Sequence, residues 1–259
     1  MKLKNHGLSN LLIKRPIIAI TLIVLILQCG FIFGQSADDI LSKVDLNLSS
    51  NNRVFESTMN IIGRRGSRFI KSKTYAEGYK KSFTEYLYPP GDKGTKMLKL
   101  EDHLWIYSPS TDRTIQISGH LLRQSLMGSD LSYEEMMEDR KLTEMYKVNI
   151  EKKEEIFGRR CYVLYLEAKV EDVAYFTQRM WVDVERFVPL KQELYSKSGK
   201  LLKWMKSEKI QKTGERWFPM KVIYKDVMKE GDGTEFEITD IKFNQYITPS
   251  IFSKASLKK

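Results

Sequence analysis

His103, His120, Cys161 and the acidic run Glu134, Glu135, Glu138 and Asp139 are the side chains whose types could support catalysis or metal binding, and their spacing assembles no site. Neither histidine falls in a His-Glu-x-x-His or Cys-rich pattern of the kind that holds zinc. The Gly-x-Ser-x-Gly turn that presents a serine nucleophile is absent. Residues 91–96, GDKGTK, fall two residues short of a phosphate-binding loop and read as a turn. Cys161 opens a strongly apolar run, where a free thiol is usually a small buried hydrophobe. Acids three and four apart on a helix mark a solvated face. No catalytic group, metal or cofactor is therefore expected.

The N-terminus carries Lys2, Lys4, Lys14 and Arg15 with no acid before Asp38, followed by an aliphatic run centred on residues 17–27. A basic segment ahead of an apolar one of this length has the form of a secretory signal peptide, here residues 1–34 with cleavage after Gly34. The competing forms are an uncleaved membrane anchor, because the run approaches the length of a membrane helix, and lipid attachment at Cys29, which Gln28 fits poorly. Removal of the leader takes away four basic residues and no acidic one, so the net charge of +10 becomes +6. The remaining Lys and Arg are interleaved with Glu and Asp along nearly every segment, which argues against a nucleic-acid partner. Cys161 is the single cysteine left, so no intramolecular disulfide is available and the fold depends on its core. Residues 35–259 are long enough for one such domain.

These positions must be held by elements with two different periods. Ile40, Leu41, Val44 and Leu48 have helical spacing, with Ser36 available to cap, and predict a short amphipathic helix over residues 36–50. From Val54 onward the period becomes two, and turn clusters at 63–66, 89–92, 108–112, 197–199 and 230–233 separate short runs. Ten to twelve strands in an antiparallel meander result. Residues 119–141 break the rhythm. Ser132 followed by Glu135 has capping-box spacing and predicts a helix over 132–140, preceded by an apolar loop over 121–130. Several runs are apolar on both faces, among them residues 104–107 and 162–166, whereas a sheet with one wet face would alternate. An incomplete barrel around an apolar interior satisfies that pattern.

Three segments also carry a family resemblance: YPPGDKGTKML at 88–98, LWIYSPS at 104–110, and SLMGSDLSYE at 125–134. Together with Trp181-Val182-Asp183, Pro189-Leu190 and IFSKASL at 251–257, they resemble the outer-membrane lipoprotein-sorting proteins, the LolA-like periplasmic group. The element Gly128, Ser129, Asp130, Tyr133, Glu134 is its most specific part. The resemblance implies a mainly β fold, an incomplete antiparallel barrel of about eleven strands with two or three helices lidding an apolar cavity. It implies periplasmic carriage of lipids or lipoproteins rather than catalysis, with acyl chains of lipoprotein or phospholipid as cargo. An inner-membrane transporter and an outer-membrane acceptor would be the partners, and the chain would act as a monomer. The alternative is an envelope interaction module or an accessory protein of an RND-type exporter. Alternation along the strands then nominates cavity residues: Leu98 and Leu100, Trp105 and Tyr107, Leu164 and Leu166, Met180 and Val182. Leu126, Met127 and Met136 would come from the lid. A slip of one residue would turn any of these strands inside out.

Overall fold

The computed structural model describes residues 35–64, 66–138 and 140–258. The leader at residues 1–34 and Cys29 lie outside the described residues, and the readings made of them stand as expectations.

Helix α1 (Ala37–Leu48) begins where the sequence predicts, because Ser36 Oγ accepts the Asp39 amide at 3.1 Å while the Asp39 carboxylate accepts the Ser36 amide. Such a reciprocal cap contributes about 1 kcal/mol. There follow β1 (Asn52–Gly63), β2 (Gly66–Glu77), β3 (Lys81–Tyr88), β4 (Lys96–Leu100), β5 (His103–Ser108) and β6 (Arg113–Ile117). Next come α2 (Tyr133–Met137), α3 (Leu142–Met145) and β7 (Tyr146–Ile156). The chain continues through β8 (Arg159–Ala168), β9 (Thr177–Asp183), β10 (Pro189–Tyr195), β11 (Leu201–Thr213), β12 (Arg216–Asp226) and β13 (Gly233–Phe243).

All thirteen strands form one antiparallel sheet in the order β6-β5-β4-β3-β2-β1-β13-β12-β11-β10-β9-β8-β7. Two meanders, 1–6 and 7–13, are thus joined where β1 pairs with β13. The sheet is open, with β6 and β7 at its edges. The mainly β, unclosed architecture agrees with expectation, and the strand number, thirteen against about eleven, does not. Part of the difference is β7, whose side chains at 147, 149–153 and 155 are exposed. Its buried alternation is confined to Tyr146 and Val148 at one end, too short a signal to mark an eleven-residue strand.

The helix expected over 132–140 is shorter. Ser132 is its cap, with its Oγ accepting the Glu135 amide at 3.2 Å, but the backbone leaves helical geometry at Glu138. The Glu138 carboxylate there accepts Nε and Nη2 of Arg140, each at 2.8 Å. Lys99 Nζ takes the Met137 carbonyl at 2.7 Å, meeting a helix C-terminal acceptor with a cation.

One face of the sheet is continuous from β8 to β6, and two different things cover it. On the β7–β9 side α1 lies against it, burying Ile40, Leu41 and Val44 among Val148, Leu164, Leu166, Met180 and Val182. Each fully buried aliphatic side chain there contributes about 1.5–3 kcal/mol. On the β1–β5 side the chain between β6 and α2 covers it instead, with Leu126 and Tyr133 against Met97, Leu104 and Ile117. The opposite face carries its own cluster, in which Phe252 and Leu257 of the C-terminal segment pack on Phe83, Leu98 and Trp105.

The turn after β9 is tied by a fully buried carboxylate. Asp183 accepts Arg159 Nε at 2.7 Å and Nη2 at 3.0 Å, and the amides of Glu185 and Arg186 at 2.9 and 3.0 Å. Burial alone would raise its pKa, but the Arg159 and amide hydrogen bonds outweigh burial and hold the carboxyl below its usual value. A depressed folded value means stability that is complete above the unfolded pKa near 3.9 and is lost as pH falls through the folded value. Asp183→Asn is therefore expected to lose about 3 kcal/mol at neutral pH in denaturant unfolding, with a gap to wild type that narrows below about pH 4. A gap independent of pH would contradict this account of the turn.

Candidate functional site

Between the sheet and the cover over β1–β5 lies a cavity of about 370 Å³. Its wall is built from four rows that run across the strands in register. Arg53, Ala76, Ser82 and Lys99 form the first, and Phe55, Thr74, Thr84 and Met97 the second. Ser57, Ser72 and Tyr86 form the third, and Met59 with Ile70 the fourth. The wall thus grades from cationic to apolar along the strand direction. Its hydroxyls pair within the wall, Thr74 with Thr84 at 2.9 Å and Ser57 with Ser72 at 3.0 Å, so each already has a partner before an occupant enters. Phe236 joins the apolar end, and Leu126, Leu131 and Met136 close it from the cover. Burial pushes the phenols of Tyr86 and Tyr224 far above their ordinary values, so both are neutral donors in the lining.

The cover segment is held at a few polar points. Met127 and Gly128 both take positive φ, 52° and 84°, and a non-glycine residue there costs about 1 kcal/mol unless it is held. Arg68 Nη1 holds it, donating to the Met127 carbonyl at 2.9 Å while Nη2 pairs with Asp92. Asp130 is the firmest attachment. Its Oδ1 accepts the Asp226 amide at 2.9 Å, its Oδ2 accepts Thr234 Oγ1 at 2.7 Å, and its own amide donates to Thr234 Oγ1 at 2.9 Å. Lys229 Nζ donates to Ser125 Oγ and to the Ser129 carbonyl, and burial lowers its pKa. Glu135 adds a fourth tie, accepting Lys203 Nζ at 2.5 Å and Tyr175 Oη at 2.9 Å. Burial first and this carboxylate second raise the pKa of Tyr175.

The nominated residues divide three ways. Leu126 and Met136 line the cavity, and Met127 packs beside it against Met59, Ile70 and Tyr86. Leu164, Leu166, Met180 and Val182 lie on the same face, but α1 fills the space above them. Leu98, Leu100, Trp105 and Tyr107 are on the opposite face, beneath the C-terminal segment, and are corrected accordingly. Their strand neighbours Met97, Leu104 and Ile106 turn toward the cover instead. The one-residue inversion arises because residues 104–107 are apolar at every position, so alternation cannot select a face. Gly128, Ser129, Asp130 and Tyr133 sit in the cover, while Glu134 is half-buried on α2, where its carbonyl accepts the Glu138 amide. Arg53, Lys99, Arg68, Asp226, Lys229, Lys203 and Thr234 were not anticipated. The last four lie about 70–100 residues in sequence from the cover residues they hold, with no local signal to connect them.

Other candidate chemistry is dispersed. His103 is exposed and stacks on Trp105 with centroids 5.5 Å apart, and His120 is exposed. Cys161 is buried, with its thiol pushed up to about 11 by burial. Among the described residues no three or more His, Cys, Asp or Glu could hold a metal ion, and no helix is long and apolar enough to cross a membrane.

Comparisons with known proteins place this geometry. No curated protein matches the chain. A family model described as an uncharacterized protein matches residues 78–259. Three solved structures share the fold. A DUF1329 family protein from Desulfovibrio piger has a TM-score of 0.78 at 22% identity, covering 85% of this chain and 97% of its own. A domain described as an outer membrane lipoprotein-sorting protein, from Vibrio parahaemolyticus, has 0.73 at 22%, covering 86% and 98%. A LolA superfamily protein from Nitrosomonas europaea has 0.71 at 24%, covering 86% and 100%. With residues 78–259 matched by the family model, the chain belongs to that family of uncharacterized proteins, and its sheet shares the fold of these three solved structures.

Proposed function

We propose that the protein is an exported, non-catalytic carrier that holds acyl chains of lipids or lipoproteins in the cavity beneath residues 119–137. In this reading residues 1–34 are a signal peptide, residues 35–259 are one carrier domain in the periplasm, and the cover is a lid. The observation that carries the proposal is the cavity of about 370 Å³, closed at one end by Met59, Ile70, Leu126 and Phe236. An acyl chain entering it gains about 0.8 kcal/mol for each methylene removed from water. The volume falls within the range of about 300–1,000 Å³ usual for small-molecule sites. The hydroxyls of the wall are compatible with the same reading, since each has a partner within the wall and a hydrocarbon strands none of them entirely. Release from an inner-membrane transporter and delivery to an outer-membrane acceptor would place the carrier in lipoprotein sorting.

A fluorescent fatty acid whose emission rises in apolar surroundings tests the proposal on delipidated protein. Saturable binding at about micromolar affinity, displaced by unlabelled palmitate, is the expected result. An emission that stays flat at all protein concentrations would overturn it.

A further inference from the structure

We propose that the cavity selects amphiphiles with an anionic head group, a carboxylate or a phosphate, seated at the Arg53 row with the chain running toward Met59 and Ile70. This rests on the carrier reading and adds the orientation and charge of the ligand.

The argument starts from what each charged group on the wall already does. Glu135 is met by Lys203 at 2.5 Å, and Glu138 by Arg140 at 2.8 Å. Lys81 reaches Glu77 at 2.9 Å, and Lys99 donates to the Met137 carbonyl. Arg53 differs. Its Nη1 donates to Ser50 Oγ at 3.2 Å, its guanidinium lies 5.9 Å from the Tyr79 ring, and among the described residues it forms no ion pair. A guanidinium offers five donors in a planar fork suited to carboxylate or phosphate oxygens. Burial lowers the Arg53 pKa, opposed by Tyr79 and reinforced by the charge of Arg216, so an incoming anion would relieve an existing electrostatic cost.

Position completes the case. Arg53 and Lys99 stand at the two sides of a single row, with Ala76 and Ser82 between them, so little side-chain bulk separates the cations. Gly78, Tyr79 and Lys81 lie beside that row in the lining and are half-buried, as Arg53 is, whereas Met59, Ile70 and Tyr86 of the far rows are buried. The Arg53 side of the cavity is thus wetter than the apolar end. Met59 lies six residues after Arg53 along β1, roughly 20 Å of strand, a span suited to a single acyl chain.

The test uses three ligands of equal chain length on purified wild-type protein: palmitate, hexadecyl phosphate and hexadecanol. Both anions should bind about tenfold tighter than the alcohol, as expected for a charge-assisted hydrogen bond. Arg53→Gln should abolish that advantage without weakening hexadecanol, and Arg53→Lys should keep most of it. The ratio of palmitate to phosphate affinity distinguishes a fatty-acid from a phospholipid source. Should the Gln variant fail to fold, rising salt on wild type must weaken palmitate but not hexadecanol. Equal affinities for acid and alcohol, or an Arg53→Gln variant that still prefers the anions, overturn the head-group proposal and leave the carrier standing. Failure of all three ligands to bind wild type overturns both.

Discussion

Asp130→Ala is expected to lower stability by about 3 kcal/mol in denaturant unfolding and to speed ligand exchange, because it removes the strongest attachment of the cover. The side chain is nearly fully buried and accepts two hydrogen bonds, from the Asp226 amide and the Thr234 hydroxyl. Loss of the carboxylate strands the half-buried Asp226 amide and the fully buried Thr234 hydroxyl, and the latter keeps its whole desolvation cost. Asp130→Asn should fall between wild type and Ala, since a carboxamide oxygen can replace only one acceptor. The kinetic part separates this account from a merely structural one. The attachments at Arg68, Lys229 and Glu135 persist, so the cover should loosen at one end rather than detach. Stopped-flow displacement of a fluorescent fatty acid should then show faster release at little-changed secondary structure. An unchanged release rate in a destabilised variant would show that Asp130 holds the fold and not the cover.

Ala76→Trp is expected to abolish acyl-chain binding while the protein stays folded. Ala76 is buried, makes no side-chain hydrogen bond and faces the cavity between Arg53 and Ser82, so an indole there occupies the path from the cationic to the apolar end. Insertion into a filled core costs about 1–3 kcal/mol, and an existing void absorbs part of that strain. Fatty-acid affinity should fall about tenfold or more, with a thermal midpoint within a few degrees of wild type. Undiminished binding would mean that the chain lies elsewhere, and the space under α1 would be next to test.

How much of this was readable beforehand follows from which signals are local. The α1 cap and stripe, the capping box at Ser132 and the turn clusters each depend on residues within a few positions of one another, and these elements appear where expected. The antiparallel meander follows from the same local punctuation. Facing did not follow, because the runs at 104–107 and 162–166 are apolar throughout. One face is covered by α1 and the cover; on the other, Phe252 and Leu257 from the far end of the chain pack over β3–β5, while Cys161, Val163, Trp181 and Leu190 cluster with Ile156 and Ile210 on the β8–β10 side. The pairing of β1 with β13, and with it the position of Thr234 behind Asp130, depends on residues about a hundred or more apart. The charge gradient along the wall was invisible for the same reason. Arg53, Ala76, Ser82 and Lys99 are unremarkable singly and form a row only after three register choices.

Native mass spectrometry of the protein as purified, beside the Ala76→Trp variant, bears most directly on the claim that the cavity carries acyl chains. The account predicts an adduct of lipid mass on the wild type, removable by organic extraction and missing from the variant. Wild-type protein that flies without adduct and, once extracted, takes up no palmitate would contradict it.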